Sequence, residues 1–74
     1  MNEEPKTHTL VRTKQGKLRI QGQRRMIVSG DLLAICVGTY WISGIVSVHK
    51  NCYIVAHSTD DTYVLLEGTY VKLL

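Results

Sequence analysis

Turn residues cut this chain so often that no connection is long enough to cross over a sheet. The β-branched and aromatic stretches predict strands at Thr9–Thr13, Lys17–Gln21, Arg24–Ser29, Leu32–Val37, Tyr40–His49, Cys52–His57, Tyr63–Leu66 and Thr69–Leu73. The links between them are short: Lys14-Gln15-Gly16, Gly22-Gln23, Ser29-Gly30-Asp31, Gly38-Thr39, Lys50-Asn51, the polar stretch from Ser58 to Asp61, and Glu67-Gly68. Parallel pairing needs a crossover of a dozen residues or more, so the strands must pair antiparallel. No window holds a 3.6-residue apolar period, which leaves no place for an amphipathic helix. The expectation is an all-β domain: a small antiparallel barrel of five to six strands, with Gly44 as the bend point of the longest strand.

The chain has 74 residues, of which 45% are hydrophobic and 20% charged. Those values suit one small folded domain, over residues 9–74, behind a flexible tail at 1–8. The longest unbroken apolar run is six residues, Leu32–Val37. A membrane-spanning helix needs about 20, so no membrane partner and a cytoplasmic location are expected. Strand parity predicts a core of Leu18, Ile20, Leu33, Ile35, Val37, Trp41, Ile45, Val55, Leu66, Val71 and Leu73. So apolar a short chain also invites a homodimer that buries one face.

Certain residues then read as a resemblance. Gly30-Asp31 leads into an apolar strand, followed by Trp41-Ile42, Gly44-Ile45, Tyr53-Ile54-Val55 and Leu66-Glu67-Gly68 before Val71-Lys72. Over residues 16–74 this resembles a family of uncharacterised small proteins of Gram-positive chromosomes, phages and mobile elements. The resemblance implies a Src-homology-3-like barrel and implies no activity. The family favours a basic residue and an acid around the isoleucine matched by Ile45, where this chain has Gly44 and Val46.

Charge points to function. Residues 6–25 hold Lys6, Arg12, Lys14, Lys17, Arg19, Arg24 and Arg25 with no acid, and Glu3 and Glu4 bring the first 25 residues to +5. The remainder carries −2, within a net charge of +3. In a strand, Lys17 and Arg19 face water while Leu18 and Ile20 face the core. A row of cations on one hairpin can neutralise phosphates and release their counterions. Arg12, Lys14, Lys17, Arg19, Arg24 and Arg25 are therefore the candidate nucleic-acid contacts. Tyr40, Trp41 and Tyr53 are the candidate rings for base stacking or a peptide groove. With no recognition helix to enter a groove, sequence specificity is expected to be weak.

Other chemistry has thin support. Cys36 and Cys52 read as reduced, buried thiols. Cys52 and His57 fall on opposite faces of one strand, so they cannot form a nucleophilic pair there. His49, Cys52 and His57 lack the paired-cysteine knuckle of a structural zinc site. His57, Asp60 and Asp61 read as polar residues ending strands. The expectation is a non-catalytic protein with no cofactor and no metal, binding nucleic acid. The alternatives are a protein-interaction module, such as a phage-borne inhibitor of a host protein, and a sequestrant of a small anionic nucleotide.

Overall fold

The computed structural model describes residues 6–74; the expected tail lies outside the described residues except for Lys6, Thr7 and His8. Seven strands form among the described residues: β1 (Thr7–Arg12), β2 (Leu18–Ile20), β3 (Leu32–Val37), β4 (Tyr40–His49), β5 (Cys52–Ser58), β6 (Asp61–Leu65) and β7 (Tyr70–Leu73). There is no helix among the described residues, so none that is long and apolar enough to cross a membrane. All pairings are antiparallel, in the order β2-β1-β7-β3-β4-β5-β6. β3 to β6 are a meander, and β7 returns to pair with the far side of β3. The expected barrel of five to six strands is corrected here. Among the described residues the count is seven, and the sheet stays open, with β2 and β6 as its edges.

The strand at Arg24–Ser29 is a second correction. That segment touches β2 through one isolated bridge, Arg19 to Met26, and through the Ile20 N–H to Arg25 and Ile27 N–H to Leu18 carbonyl bonds. It then turns at Val28–Asp31, where the Asp31 carboxylate accepts from the Val28 N–H at 3.0 Å. Met26 and Val28 are exposed and only Ile27 enters the core. One buried side chain in six does not make the alternating face that holds a strand in a sheet. β1, by contrast, starts two residues earlier than expected, because Thr7 and His8 pair with Lys72 and Val71.

The core is Leu10, Leu18, Ile20, Ile27, Leu33, Ile35, Val46, Tyr53, Val55, Leu65 and Val71. The β1–β2 hairpin folds across the meander and covers one end of it. Its Leu18 N–H donates to the Tyr53 hydroxyl at 3.1 Å, a buried bond between residues 35 apart in the chain. Three expected core residues point outward instead: Trp41 (40% exposed), Ile45 (53%) and Leu66 (56%). In each case the adjacent residue takes the place, as Val46 does for Ile45 and Leu65 for Leu66. A shift of one residue swaps every side chain between faces, and here both faces are apolar enough that parity could not choose. The outer face consequently carries Leu32, Ile45 and Ala56 as one cross-strand row.

Gly44 sets the path of β4. It is buried, and a Cβ there would lie 2.6 Å from the Ala56 carbonyl oxygen and 2.6 Å from Val55 Cγ1. β4 pairs with β5 from Ile45 to His49 only. Beyond this contact, Tyr40–Ser43 keep their bonds to β3 and part from β5.

Candidate functional site

The six candidate cations separate into two groups. Three are held by the fold. Arg12 Nη1 donates to the Gly16 carbonyl at 2.5 Å, Arg19 Nη1 to the Gln23 carbonyl at 2.6 Å, and Arg25 Nη2 pairs with Asp31 Oδ1 at 3.2 Å. These arginines brace the turns at either end of β2 and the segment after it. Lys14, Lys17 and Arg24 are exposed, and their side chains make no hydrogen bond or ion pair among the described residues.

The structure adds a cation from a distant part of the chain. The β4–β5 turn, Lys50-Asn51, lies against the β1–β2 turn: Asn51 Nδ2 donates to the Gln15 carbonyl at 3.4 Å. The fit is close, since a Cβ on Gly16 would stand 2.6 Å from the same Nδ2. Gly16 also has φ +83°, which a side chain would resist. Lys50, next to Asn51, therefore lies on a turn that abuts the turn between Lys14 and Lys17, and all three lysines are exposed. Lys50 has φ 57°, the strained geometry that a two-residue hairpin turn imposes.

The candidate rings do not share that corner of the molecule. Tyr53 is 2% exposed, so its ring belongs to the core and not to a binding face. Tyr40 and Trp41 start β4, while Lys50 follows its end. At about 3.3 Å per residue, the ten residues of β4 separate them by roughly 30 Å. The cations and the rings, read as one site from the sequence, are thus two separate places.

Where β4 parts from β5, a wedge-shaped pocket of about 340 Å³ opens, lined by Tyr40, Trp41, Ile42, Ser43, His57 and Asp61. The parting strands leave the Ser43 carbonyl without a β5 partner, and His57 Nδ1 bonds to it at 2.6 Å. A carbonyl only accepts, so Nδ1 carries the proton and Nε2 of the neutral ring is an acceptor. Hydrogen bonding to the Asp61 carboxylate, then desolvation, then the negative charge of Asp61, raise the Tyr63 phenol above its ordinary value of 10.0. The neutral phenol makes the bond, so its contribution is present below pH 10 and is lost as pH rises through the raised value. In an absorbance titration at 295 nm, Tyr63 of the wild type is expected to ionise at higher pH than Tyr63 of Asp61→Asn. Coincident curves would show that the two side chains do not interact in solution.

His57 and Asp61, read from the sequence as strand-ending polar residues, meet in this wedge. Only the bulge between Ala56 and Ser58 and the parting of β4 reveal it. Of the cysteines, Cys36 is half-buried, and Cys52 is exposed against the expectation of burial. No group of three metal-binding side chains exists among the described residues. Lys72 Nζ stands 4.2 Å from the centroid of the Trp41 ring, a cation–π contact on the outer face of the sheet. No protein family, curated protein or solved structure matches the chain.

Proposed function

We propose that this protein is a non-catalytic module that binds nucleic acid by its phosphates, through Lys14, Lys17 and Lys50, with Arg24 as an outlying contact. The observation that carries this reading is the Asn51–Gln15 bond, which joins two turns 36 residues apart and so brings together the turns that carry or adjoin three lysines with no side-chain partner among the described residues. Lysines on turn tips suit a flexible anionic backbone, because they act as point charges and demand no fixed angle of approach. Base contacts play a small part, since the candidate rings Tyr40 and Trp41 lie at the other end of β4. Binding is accordingly tolerant of sequence and sensitive to salt. A Src-homology-3-like fold and a cytoplasmic setting belong to the same proposal, and the seven short antiparallel strands without a helix support the first of these.

Fluorescence anisotropy with labelled single- and double-stranded oligonucleotides at two salt concentrations tests it. For three phosphate contacts, log K should fall with log salt at a slope of about −2 to −3. The triple variant Lys14→Glu, Lys17→Glu, Lys50→Glu should lose at least about tenfold in affinity at low salt, and its slope should fall toward zero. These side chains are exposed, so the variant should melt close to the wild type. Absence of wild-type binding at low salt would end this reading.

A further inference from the structure

The wedge at the start of β4 is separate from the lysine corner, and its chemistry is of the opposite sign. Asp61 supplies a half-buried carboxylate to the lining, with no ion-pair partner among the described residues. His57 is fixed by its Nδ1 bond to Ser43, which leaves Nε2 as an acceptor. Tyr40 is 74% exposed and Trp41 40% exposed, so both rings have faces in reach of a ligand. Trp41 already holds an ammonium group, that of Lys72, over its ring. No arginine or lysine lines the wedge. Two fixed acceptors beside aromatic faces, with an apolar floor at Ile42, suit a flat cation that donates several hydrogen bonds. A guanidinium group has that form: it is planar, it pairs with a carboxylate through two parallel N–H groups, and it stacks on aromatic rings.

A second feature identifies where the guanidinium comes from. Asp61 is the first residue of β6, which is an edge strand among the described residues. Along it, Thr62 and Val64 are exposed. A peptide with a side chain in the wedge can continue along this edge and bond to its unpaired backbone groups. We infer that the wedge is a receptor for an arginine side chain of an extended peptide segment, with Asp61 as its ion partner, His57 Nε2 as a second acceptor, and β6 as the edge on which the peptide lies.

Trp41 is the only tryptophan in the chain and lines the wedge, so its fluorescence reports occupancy directly. The full chain would be titrated with a blocked five-residue peptide carrying a central arginine, with the same peptide carrying citrulline, and with acetyl-arginine amide. Citrulline keeps the shape and removes the charge. The arginine peptide should give a saturable change, with the citrulline peptide at least about tenfold weaker and Asp61→Asn costing a similar factor. Equal response to arginine and citrulline, or no saturable change up to about 10 mM, would overturn the site. Equal affinity for the peptide and for acetyl-arginine amide would overturn the peptide assignment. The citrulline comparison uses wild-type protein throughout, so it decides the matter even if Asp61→Asn fails to fold. Lys72→Met provides a second variant: it removes a competing cation from Trp41, and binding should be retained or strengthened. Loss of binding in Lys72→Met would also count against the site.

Discussion

Replacing Gly44 by alanine is expected to destabilise this protein by about 3 kcal/mol, although it adds one methyl group. The added Cβ would stand 2.6 Å from the Ala56 carbonyl oxygen, 2.6 Å from Val55 Cγ1 and 2.8 Å from the Ala56 carbonyl carbon. Two of these three are backbone atoms, which cannot move aside as a side-chain tip can. Relief requires β4 and β5 to part at the centre of the sheet, where Val46 and Val55 sit in the core. A domain of this length is held by only about 4–11 kcal/mol, so the loss is a large share of the whole. Thermal denaturation followed by far-UV circular dichroism should show a fall in Tm of roughly 12–24 °C. Gly22→Ala is the companion measurement. Gly22 has φ +78° and nothing within 4 Å of an added Cβ, so it tests backbone strain without a steric clash. It should cost about 1 kcal/mol. If Gly44→Ala melts no lower than Gly22→Ala, the close β4–β5 contact is not what fixes this sheet.

The second large effect concerns Tyr53, and two substitutions divide its role. Tyr53→Ala empties a site that is 2% exposed at the centre of the core, and should cost about 3–5 kcal/mol. At the upper end the domain would not fold. Tyr53→Phe keeps the ring and removes the hydroxyl that accepts from the Leu18 N–H. Within β2 that N–H points away from β1, whose bonds reach the neighbouring residues, as in the Thr13 N–H to Lys17 carbonyl bond. Without the hydroxyl, a buried backbone donor is left without a partner, which costs about 1–3 kcal/mol. Chemical denaturation should rank wild type above Tyr53→Phe above Tyr53→Ala. Amide hydrogen exchange at Leu18 should accelerate more in the Phe variant than exchange across β3 and β4. A Phe variant as stable as wild type would mean that the hairpin docks by apolar contact alone.

Much of the strand layout was legible because its signals are local. β3 and β4 lie exactly where Leu32–Val37 and Tyr40–His49 were expected, since glycine and the Lys50-Asn51 turn bound them on both sides. Leu18 and Ile20 face inward beneath Lys17 and Arg19, because alternation across a short strand with one apolar face has a single solution. β4 offered two solutions. Trp41 and Ile45 on one face compete with Ile42, Val46 and Val48 on the other, and the larger aromatic made the wrong face attractive. Gly44 shares the buried face with Ile42, Val46 and Val48, and its missing side chain leaves room for Val55 and the Ala56 carbonyl.

The candidate site was legible only in part. The lysines of the β1–β2 turn were visible as a charge run, but a charge run does not say which cations the fold will use. Arg12, Arg19 and Arg25 spend theirs on the carbonyls and the carboxylate of nearby turns. Lys50 sits 33 residues beyond Lys17 in the sequence and had no mark to distinguish it. His57 and Asp61 stand close together in the sequence, but a polar stretch between strands is ordinary and does not mark a site.

By itself, then, the sequence determined the class of structure. Short apolar segments with links too brief to cross a sheet admit antiparallel strands and nothing else, and the uneven spread of charge places the cations near one hairpin. The tertiary structure decided the rest: which face of β4 is buried, that the sheet stays open at β2 and β6, and which distant turns touch. Those outcomes depend on contacts between residues far apart in the chain, such as Gly44 against Ala56, Tyr53 against Leu18 and Asn51 against Gln15. Local alternation and turn propensity carry no record of such contacts, because each is fixed only when the strands pack.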